Sequence, residues 1–368
     1  MARLLGDFRV FAAKMPEKKK AAFSGGNYPY VCARVKARRA FLLSKDVYPK
    51  LLQMEIPEIS RFIGESQYRK EITELGLKYS GLELTEIALN RNLANVSHQL
   101  LGFCKGDLKD MMSAYLRRWD VWNIKTLLRG KYYGADNEEI MKTRVPAGMY
   151  GEDYWKNILQ NSSSMDDAID NLRGNEYHSS LVKLKERHGT NLMEYENWLE
   201  IEFYRLLLKS IRPASRPNQL FLNFIRMEID LVNLKTLFMA KFEGVEGSMV
   251  KGMLVWGGEI SRKDIEMLAD TQDFDHFLAE LSKFPFYELI KDEAGRIKER
   301  GTLNRVIRTL EKDYLQKAEK FSRLYPLSVL PVLNYVVRKK IEVDNLRIIV
   351  RGKDSGLDDE TLREMLVV

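Results

Sequence analysis

The stretch "DVWNIKTLLRGKYYG", Asp120 to Gly134, recurs twice further along the chain. It returns as "DLVNLKTLFMAKFEG", Asp230 to Gly244, and as "EVDNLRIIVRGKDSG", Glu342 to Gly356. Each version begins with an acid and has an asparagine three residues later, then a lysine and finally a glycine at constant spacing. The twelve repeat positions are Asp120, Asn123, Lys131, Gly134, Asp230, Asn233, Lys241, Gly244, Glu342, Asn345, Lys353 and Gly356. An internal repeat of this kind decides the architecture of a chain.

The repeat extends well beyond this stretch. The three asparagines follow one another at nearly equal intervals. A leucine in an upstream helical pattern precedes each asparagine at a nearly constant distance, and a valine follows each glycine by eleven positions. These residues are Leu89, Leu199, Leu310, Val145, Val255 and Val367. The same order of features at the same spacing predicts three similar units of about 110 residues.

Apolar residues in the three units recur at intervals of three and four, which is the spacing of amphipathic helices. Strand signals are scarce. The stretch "LSVLPVLNYVV", residues 327–337, is β-branched enough for a strand, but its place in the repeat predicts helix. The sequence therefore predicts an all-α protein with a basic tail, residues 1–26, and three helical lobes, residues 27–145, 146–255 and 256–368.

The repeated acid is predicted to face the protein interior. On a helical wheel measured from the asparagine, the apolar positions cover roughly 40° to 160°, and the acid lies inside this arc at about 60°. A buried carboxylate needs a partner, because isolation in an apolar interior is costly. Arg34 and Arg38 are candidate partners in the first lobe. Recurrence on a core-facing helix favours this structural role over acid–base catalysis, which needs a reactive partner in a cleft.

The end of the repeat is predicted to end a helix. A glycine adopts the left-handed conformation that closes a helix, and a lysine in the last turn complements the helix dipole. A second, short helix is expected to begin near Asp136 in the first unit and near Asp358 in the third, because aspartate favours a helix amino end.

Composition narrows the function classes without choosing one. The chain has 368 residues, of which 59 are basic and 52 are acidic, giving a net charge of +7. A basic excess is compatible with nucleic acid, an acidic protein partner or an anionic membrane surface. Two cysteines, Cys32 and Cys104, argue against a disulfide framework and favour a reducing cytoplasm. No window approaches the roughly 18 consecutive apolar residues of a membrane span.

Signatures of catalysis and of cofactor binding are missing from the sequence. Four histidines are scattered singly, at positions 98, 178, 188 and 276, without the spacing that gathers a metal ion. No phosphate loop, nucleophile elbow or Cys/His nucleophile pattern occurs. Aromatic residues near Trp119 keep helical spacing, which favours core packing over base stacking. We therefore predict no catalytic residue, no cofactor, no metal and no small-molecule substrate.

Three segments resemble a known family. They are "YPYVCARVKARRAFLL" (residues 28–43), "LRRWDVWNIKTLLRGK" (116–131) and "LNYVVRKKIEVDNLRIIVRGK" (333–353). Together with "VPAG", they resemble the C subunits of archaeal-type and related vacuolar-type rotary ATPases, a family that includes the eukaryotic d subunit. The resemblance runs from about Tyr28 to the carboxyl end and is most specific in Ile341–Lys353. The tail before Tyr28 is not typical of the family.

The resemblance implies a non-catalytic rotor subunit. Such a protein is a funnel of three helical lobes around a pseudo-threefold axis. It lies on the cytoplasmic face of the membrane, as a peripheral component of the complex, and transmits torque between ATP synthesis or hydrolysis and H⁺ or Na⁺ transport. The implied partners are central-stalk subunits of the D and F types and the proteolipid ring, with no nucleic acid. Basic side chains at the ring end would meet acidic loops or lipid headgroups.

A helical-repeat scaffold that binds RNA or a peptide in a concave face is the alternative function. Solenoid repeats usually have periods of about 20 to 50 residues. A period of about 110 residues, with three copies, lies outside that range and weakens this alternative.

Overall fold

The computed structural model describes residues 25–188, 191–212 and 215–368, except for the side chain of His188. These ranges contain helices and no β-strand, which confirms the all-α class. Of the predicted basic tail, residues 1–26, positions 1–24 lie outside the described residues. Within the described ranges, no helix is long and apolar enough to cross a membrane.

The first copy, residues 27–145, begins with an additional helix that has no equivalent in the other copies. A short 3₁₀ turn, Lys45–Val47, lies between this helix and the next. The helices are α1 (Tyr28–Arg39), α2 (Tyr48–Leu52), α3 (Ile56–Ile63), α4 (Arg69–Leu75), α5 (Gly81–Phe103), α6 (Gly106–Leu116), α7 (Arg118–Tyr133) and α8 (Asn137–Thr143).

The second copy, residues 146–255, repeats the order of three short helices, two long helices and one short helix. Its helices are α9 (Glu152–Gln160), α10 (Met165–Asn171), α11 (His178–His188), α12 (Leu192–Ser210), α13 (Arg216–Phe242) and α14 (Gly247–Met253). Helix α13 is continuous, whereas its counterpart in the first copy is divided into α6 and α7 at Arg117.

The third copy, residues 256–368, follows the same order with one additional helical turn. Its helices are α15 (Arg262–Ala269), α16 (Phe274–Leu281), α17 (Tyr287–Ala294), α18 (Ile297–Arg300), α19 (Asn304–Leu324), α20 (Leu330–Asp354) and α21 (Asp359–Met365). The ambiguous apolar stretch is helical from Leu330 onward. Pro331 occupies the first turn of α20, where a missing N–H breaks no helical hydrogen bond.

Local sequence explains where the helices that carry the repeat end. We call α7, α13 and α20 the repeat helices. The glycine after each adopts a positive φ of 71° to 72°, at Gly134, Gly244 and Gly356. Asp136 and Asp358 immediately precede and cap the short helices α8 and α21, which start near these residues as predicted. There the carboxylates accept hydrogen bonds from the N–H groups of Glu139 (2.7 Å) and Thr361 (2.8 Å).

The hydrophobic cores cross the boundaries between copies. The second half of repeat helix α13, including Leu237 and Phe238, packs into one cluster with the short helices of the third copy. Those partners are Ile265, Leu268, Ala269, Phe277, Leu281 and Ile290. A packed unit therefore combines a repeat helix with the short helices of the next copy, and each copy depends on its neighbour for burial.

The amino-terminal helix α1 packs against the last repeat helix, α20. Cys32 on α1 donates a hydrogen bond from its thiol to the carbonyl oxygen of Ser328, at 3.3 Å. Cys32 and Cys104 are both buried and unpaired. Burial raises the pKa of Cys32 to about 11, so its thiol stays protonated and inert at neutral pH.

Candidate functional site at the repeat seams

The repeated asparagine ties each repeat helix to the end of its own copy. The Asn123 side chain donates to the Val145 carbonyl oxygen and accepts from the Val145 N–H, both at 2.8 Å. The same reciprocal pair, at 2.7 to 3.0 Å, joins Asn233 to Val255 and Asn345 to Val367. All three asparagines are buried. An amide suits this site because it offers one donor and one acceptor to an otherwise unpaired backbone.

The repeated acid of the first two copies binds the backbone of the following copy. Asp120 accepts hydrogen bonds from the N–H of Met149, at 2.9 and 3.0 Å. Asp230 accepts from the N–H groups of Glu259 (3.0 Å) and Ile260 (3.2 Å). Both loops lie 29 or 30 residues downstream of the acid. The acid therefore connects successive copies, whereas the asparagine acts within one copy.

The expected pairing of Asp120 with Arg34 or Arg38 is wrong. Both arginines lie over the ring of Phe103, with their guanidinium carbons 4.7 and 5.1 Å from its centroid. Backbone N–H groups satisfy the carboxylate instead. A wheel projection indicates that a side chain is buried, but it does not identify which atoms of a loop in the next copy will meet it.

A glycine allows each loop to approach the carboxylate closely. A Cβ atom added to Gly148 would lie 1.9 Å from Oδ1 of Asp120. One added to Gly258 would lie 2.0 Å from Oδ1 of Asp230. Glycine is thus required because a larger residue would push the loop away from the acid.

Burial perturbs the ionisation of these two acids. Desolvation raises the pKa of Asp120 to about 6, against the opposing effect of its backbone hydrogen bonds. The same cause raises the pKa of the half-buried Asp230 to about 7. Neither carboxylate has a hydrogen-bonded cation among the described residues, and backbone dipoles alone compensate the burial only in part.

The acid of the third copy binds the beginning of the chain. Glu342 accepts from the Leu43 N–H at 2.6 Å, 299 residues away. It also accepts from Gln67 (2.8 Å), Tyr68 (2.6 Å) and the ammonium group of Lys339 (2.8 Å). Lys339 is itself fully buried and donates a second hydrogen bond to the Tyr68 hydroxyl.

These contacts form a cyclic pattern of three seams. We call the contacts between a repeat helix and the following copy a seam: the first is centred on Asp120, the second on Asp230, and the closing seam on Glu342.

A cation two residues after each asparagine also binds the following copy. These pairs are Lys125–Glu200 (2.6 Å), Lys235–Glu311 (2.5 Å) and Arg347–Asn90 (2.8 Å). Their acceptors occupy equivalent positions, one residue after Leu199, Leu310 and Leu89.

The repeated lysine also crosses the first two seams. Lys131 donates to the carbonyl oxygen of Ser162 at 2.6 Å, just beyond the first helix of the second copy. Lys241 donates to the equivalent Thr271 carbonyl oxygen at 2.8 Å. Lys353 instead pairs with Asp359 of its own copy, at 3.5 Å. The sequence predicted only that the lysine complements the dipole of its own helix. In the first two copies, the structure adds a hydrogen bond from the lysine to the next copy.

A buried carboxylate that sequence reasoning missed contacts all three copies. Glu228 accepts hydrogen bonds from one tyrosine of each copy, Tyr115 (2.8 Å), Tyr204 (2.7 Å) and Tyr314 (3.0 Å), and from Arg118 (2.7 Å). Burial alone would raise the pKa of Glu228, but Arg118 and the tyrosines outweigh it and lower the pKa.

A sequence signal for this cluster does exist. The position five residues before each repeat asparagine is charged in every copy, as Arg118, Glu228 and Lys340. Arg118 and Glu228 form an ion pair with little exposure.

Among the described residues, the buried acids of the seams are engaged by several donors. Asp120 binds a backbone N–H, Glu342 binds Leu43, Gln67, Tyr68 and Lys339, and Glu228 binds three tyrosines and Arg118. These contacts favour a structural role over acid–base catalysis, which needs a carboxyl group beside a reactive partner. In the ranges that the structure covers, no three His, Cys, Asp or Glu side chains are placed to hold a metal ion. The geometry supports mechanical linkage between copies.

Known proteins that are similar to this chain belong to one family. Residues 31–365 match the family model described as ATP synthase (C/AC39) subunit. The C subunit of the A-type ATP synthase of Methanococcoides burtonii is 42% identical, covering 95% of this chain and 96% of its own. The equivalent proteins of Methanosarcina acetivorans and Archaeoglobus fulgidus are 40% and 34% identical. These two alignments cover 97% and 93% of this chain and 96% of each relative.

Proposed function

Because the chain belongs to the ATP synthase (C/AC39) subunit family, a non-catalytic component of A/V-type ATP synthases, we propose that it couples the central stalk to the membrane proteolipid ring. In this role it is a socket that holds the stalk and transmits torque between the ATP-handling head and the H⁺- or Na⁺-conducting membrane sector.

The observation that carries the proposal is the cyclic order of the seams. Equivalent acids and cations bind the next copy in turn, and those of the third copy bind the first. A closed set of three corresponding contacts supports a pseudo-threefold funnel with lobes at residues 27–145, 146–255 and 256–368, whose cores continue across the lobe boundaries. Three like lobes around an opening can surround a stalk that enters along the axis.

Torque transmission also requires a stiff body. Close-packed helices resist deformation, and each repeat helix is held by its asparagine within one copy and by its acid to the next. Glu228 joins all three copies at one buried point. Twisting the copies against one another would break several buried hydrogen bonds together, each of which is costly to leave unmade.

The proposed partners are D- and F-type central-stalk subunits on one side and the proteolipid ring on the other, at the cytoplasmic face of the membrane. The net charge of +7 supports an electrostatic contribution to attachment, through acidic loops or lipid headgroups. Raising the salt concentration from about 50 to 500 mM should then release the chain from the isolated ring, because salt screens exposed charges. Attachment that is insensitive to salt would contradict this contribution.

Reconstitution of the complex tests the coupling role directly. The head, the stalk and the membrane sector are assembled in vesicles with and without this chain, and ATP hydrolysis and ion uptake are both measured. We expect hydrolysis in both samples but ATP-driven ion uptake only when the chain is present. Equal ion uptake without the chain would refute the proposal. A pull-down with this chain tests the scaffold alternative. Recovery of RNA or an unrelated peptide, with no stalk or ring protein, would favour that alternative.

A further inference from the structure

A cavity of about 520 Å³ lies at the first seam, next to the contacts described above. It lies between helix α5 and helix α8 of the first copy and helix α9 of the second. Five basic and two acidic side chains line it. The basic ones are Lys78, Arg91, Lys142, Arg144 and Lys156. Its volume is within the range of small-ligand sites, about 300 to 1,000 Å³.

Arg144 is the unusual member of this lining. It is 6% exposed, and its Nε and Nη1 atoms are enclosed without a hydrogen-bond acceptor among the described residues. Its guanidinium lies over Trp155, with the guanidinium carbon 5.6 Å from the ring. Burial lowers the pKa of Arg144 to about 10, so it still carries a positive charge at neutral pH. A buried cation without a bonded anion is destabilising, and such groups normally have a partner.

In the other two copies, the position equivalent to Arg144 holds a buried apolar side chain. The position immediately before the valine at the end of each copy holds Arg144, Leu254 and Leu366. Both leucines are 1% exposed. An apolar side chain thus satisfies the same buried position twice. In the first copy, the Trp155 ring and the carboxylates of Glu152 and Asp120 favour the charge of Arg144 without forming a hydrogen bond to its Nε or Nη1.

The basic side chains around Arg144 are not repeated at the second seam. Lys78 pairs with Glu138 (4.0 Å), Lys142 with Glu83 (2.9 Å) and Glu138 (3.1 Å), and Lys156 with Glu152 (2.6 Å). Arg91 and Arg144 remain without an ion pair among the described residues. At the second seam, the four positions equivalent to Arg91, Lys142, Arg144 and Lys156 hold Ile201, Gly252, Leu254 and Glu266.

We propose that this cavity binds a phosphate-bearing anion, with Arg144 as its principal ligand and Arg91 as a second one. Arginine fits because its planar guanidinium presents forked donors that match phosphate oxygens. The anion would supply the hydrogen-bond acceptor that Nε and Nη1 of Arg144 lack, once the guanidinium turns from its enclosed position toward the cavity. The proposal does not depend on the rotor function, since it rests on the cavity and its charges alone.

Isothermal titration of the purified full chain with inorganic phosphate and, separately, with ADP tests the proposal. At low ionic strength we expect saturable binding of one anion per chain. Arg144→Leu, which installs the residue of the other two copies, should weaken binding at least tenfold while leaving the thermal unfolding midpoint near that of the wild type. Arg262→Leu is the matched control: this exposed arginine lies over Trp256 at the second seam, and its loss should leave binding unchanged.

Two further measurements separate the possible outcomes. Arg91→Gln changes an exposed side chain that cannot compromise folding, and should weaken binding about threefold even if Arg144→Leu proves unstable. Flotation with phosphatidylcholine vesicles, with and without phosphatidic acid, distinguishes a lipid phosphate from a free one. Arg144-dependent binding to either source supports the site. Absence of saturable binding to phosphate, ADP and vesicles alike, or equal binding by Arg144→Leu, would overturn it.

Discussion

The closing seam differs in chemistry from the other two. At the first and second seams an aspartate binds only backbone N–H groups of a loop that carries a glycine. At the closing seam a longer glutamate binds one backbone N–H and three side chains, including the buried Lys339. Leu42 occupies the place equivalent to the glycine, immediately before the residue whose N–H binds the acid.

Chain connectivity gives a physical reason for this difference. The first two seams join acids to loops 29 or 30 residues away, whereas Glu342 and Leu43 are 299 residues apart. In a simple chain model, this tenfold longer separation costs about 2 kcal/mol more in loop-closure entropy. A hydrogen bond to a charged group contributes about 1.5 to 3 kcal/mol. The additional hydrogen bonds of Glu342 are therefore strong enough to offset the entropic cost of closing the longer loop.

The largest expected effect is at Lys339. Replacing it by methionine, the residue at the equivalent position 227 of the second copy, leaves Glu342 buried without its cation. We expect the free energy of unfolding, measured by urea denaturation, to fall by about 3–5 kcal/mol. Arg117→Met alters the equivalent, partly exposed residue of the first copy and should cost under about 1 kcal/mol. Equal losses for the two variants would remove the distinction between the seams.

Within each copy, by contrast, the asparagines should be equivalent. Replacing Asn123, Asn233 or Asn345 by alanine leaves a buried valine N–H and carbonyl oxygen unpaired. We expect losses of about 2–4 kcal/mol for each variant, similar in all three copies because the geometry is the same. Urea denaturation of the three variants in parallel provides the comparison. A spread as large as that between Lys339→Met and Arg117→Met would contradict it.

The aspartate seams should be sensitive to loop volume. Gly148→Ala places a methyl group against Asp120 and should reduce stability by about 1–3 kcal/mol, because either the loop or the carboxylate must move. Gly151→Ala, in the same segment, is the matched control, since a Cβ there meets nothing within 4 Å. Thermal unfolding of both variants measures the difference. An unchanged midpoint for Gly148→Ala would show that the close approach is not required.

The last expected effect, no larger than that of loop volume, is a pH dependence at the first seam. The pKa of Asp120 is about 6 in the folded chain and about 3.9 when unfolded, so the folded state binds protons more strongly. Its contribution to stability is greatest below pH 4 and declines as the pH rises through 6. The free energy of unfolding should therefore decrease between pH 4 and 7 by about 1–3 kcal/mol less in Asp120→Asn than in the wild type. Exposed Asp292→Asn should leave the slope unchanged, and an unaltered slope in Asp120→Asn would be contrary to this assignment.

Much of the local structure follows from the sequence alone. The three-fold repeat, the helical class, the glycines at the helix ends and the aspartates that begin α8 and α21 follow from residue spacing. These features depend on contacts three or four residues apart or on the conformation of one residue. Such interactions are the same wherever the helix is placed, and one sequence is sufficient to indicate them.

The partners of the buried polar groups were decided by tertiary structure. Sequence spacing indicated that Asp120 is buried, but not that it binds a loop of the next copy, or that Glu342 reaches the beginning of the chain. Arg144 has no distinguishing signal until the buried leucines of the other copies are set beside it. Pairings over such distances depend on which helix faces meet. That choice is made by packing the whole apolar surface at once, and the periodicity of a single helix contains no information about it.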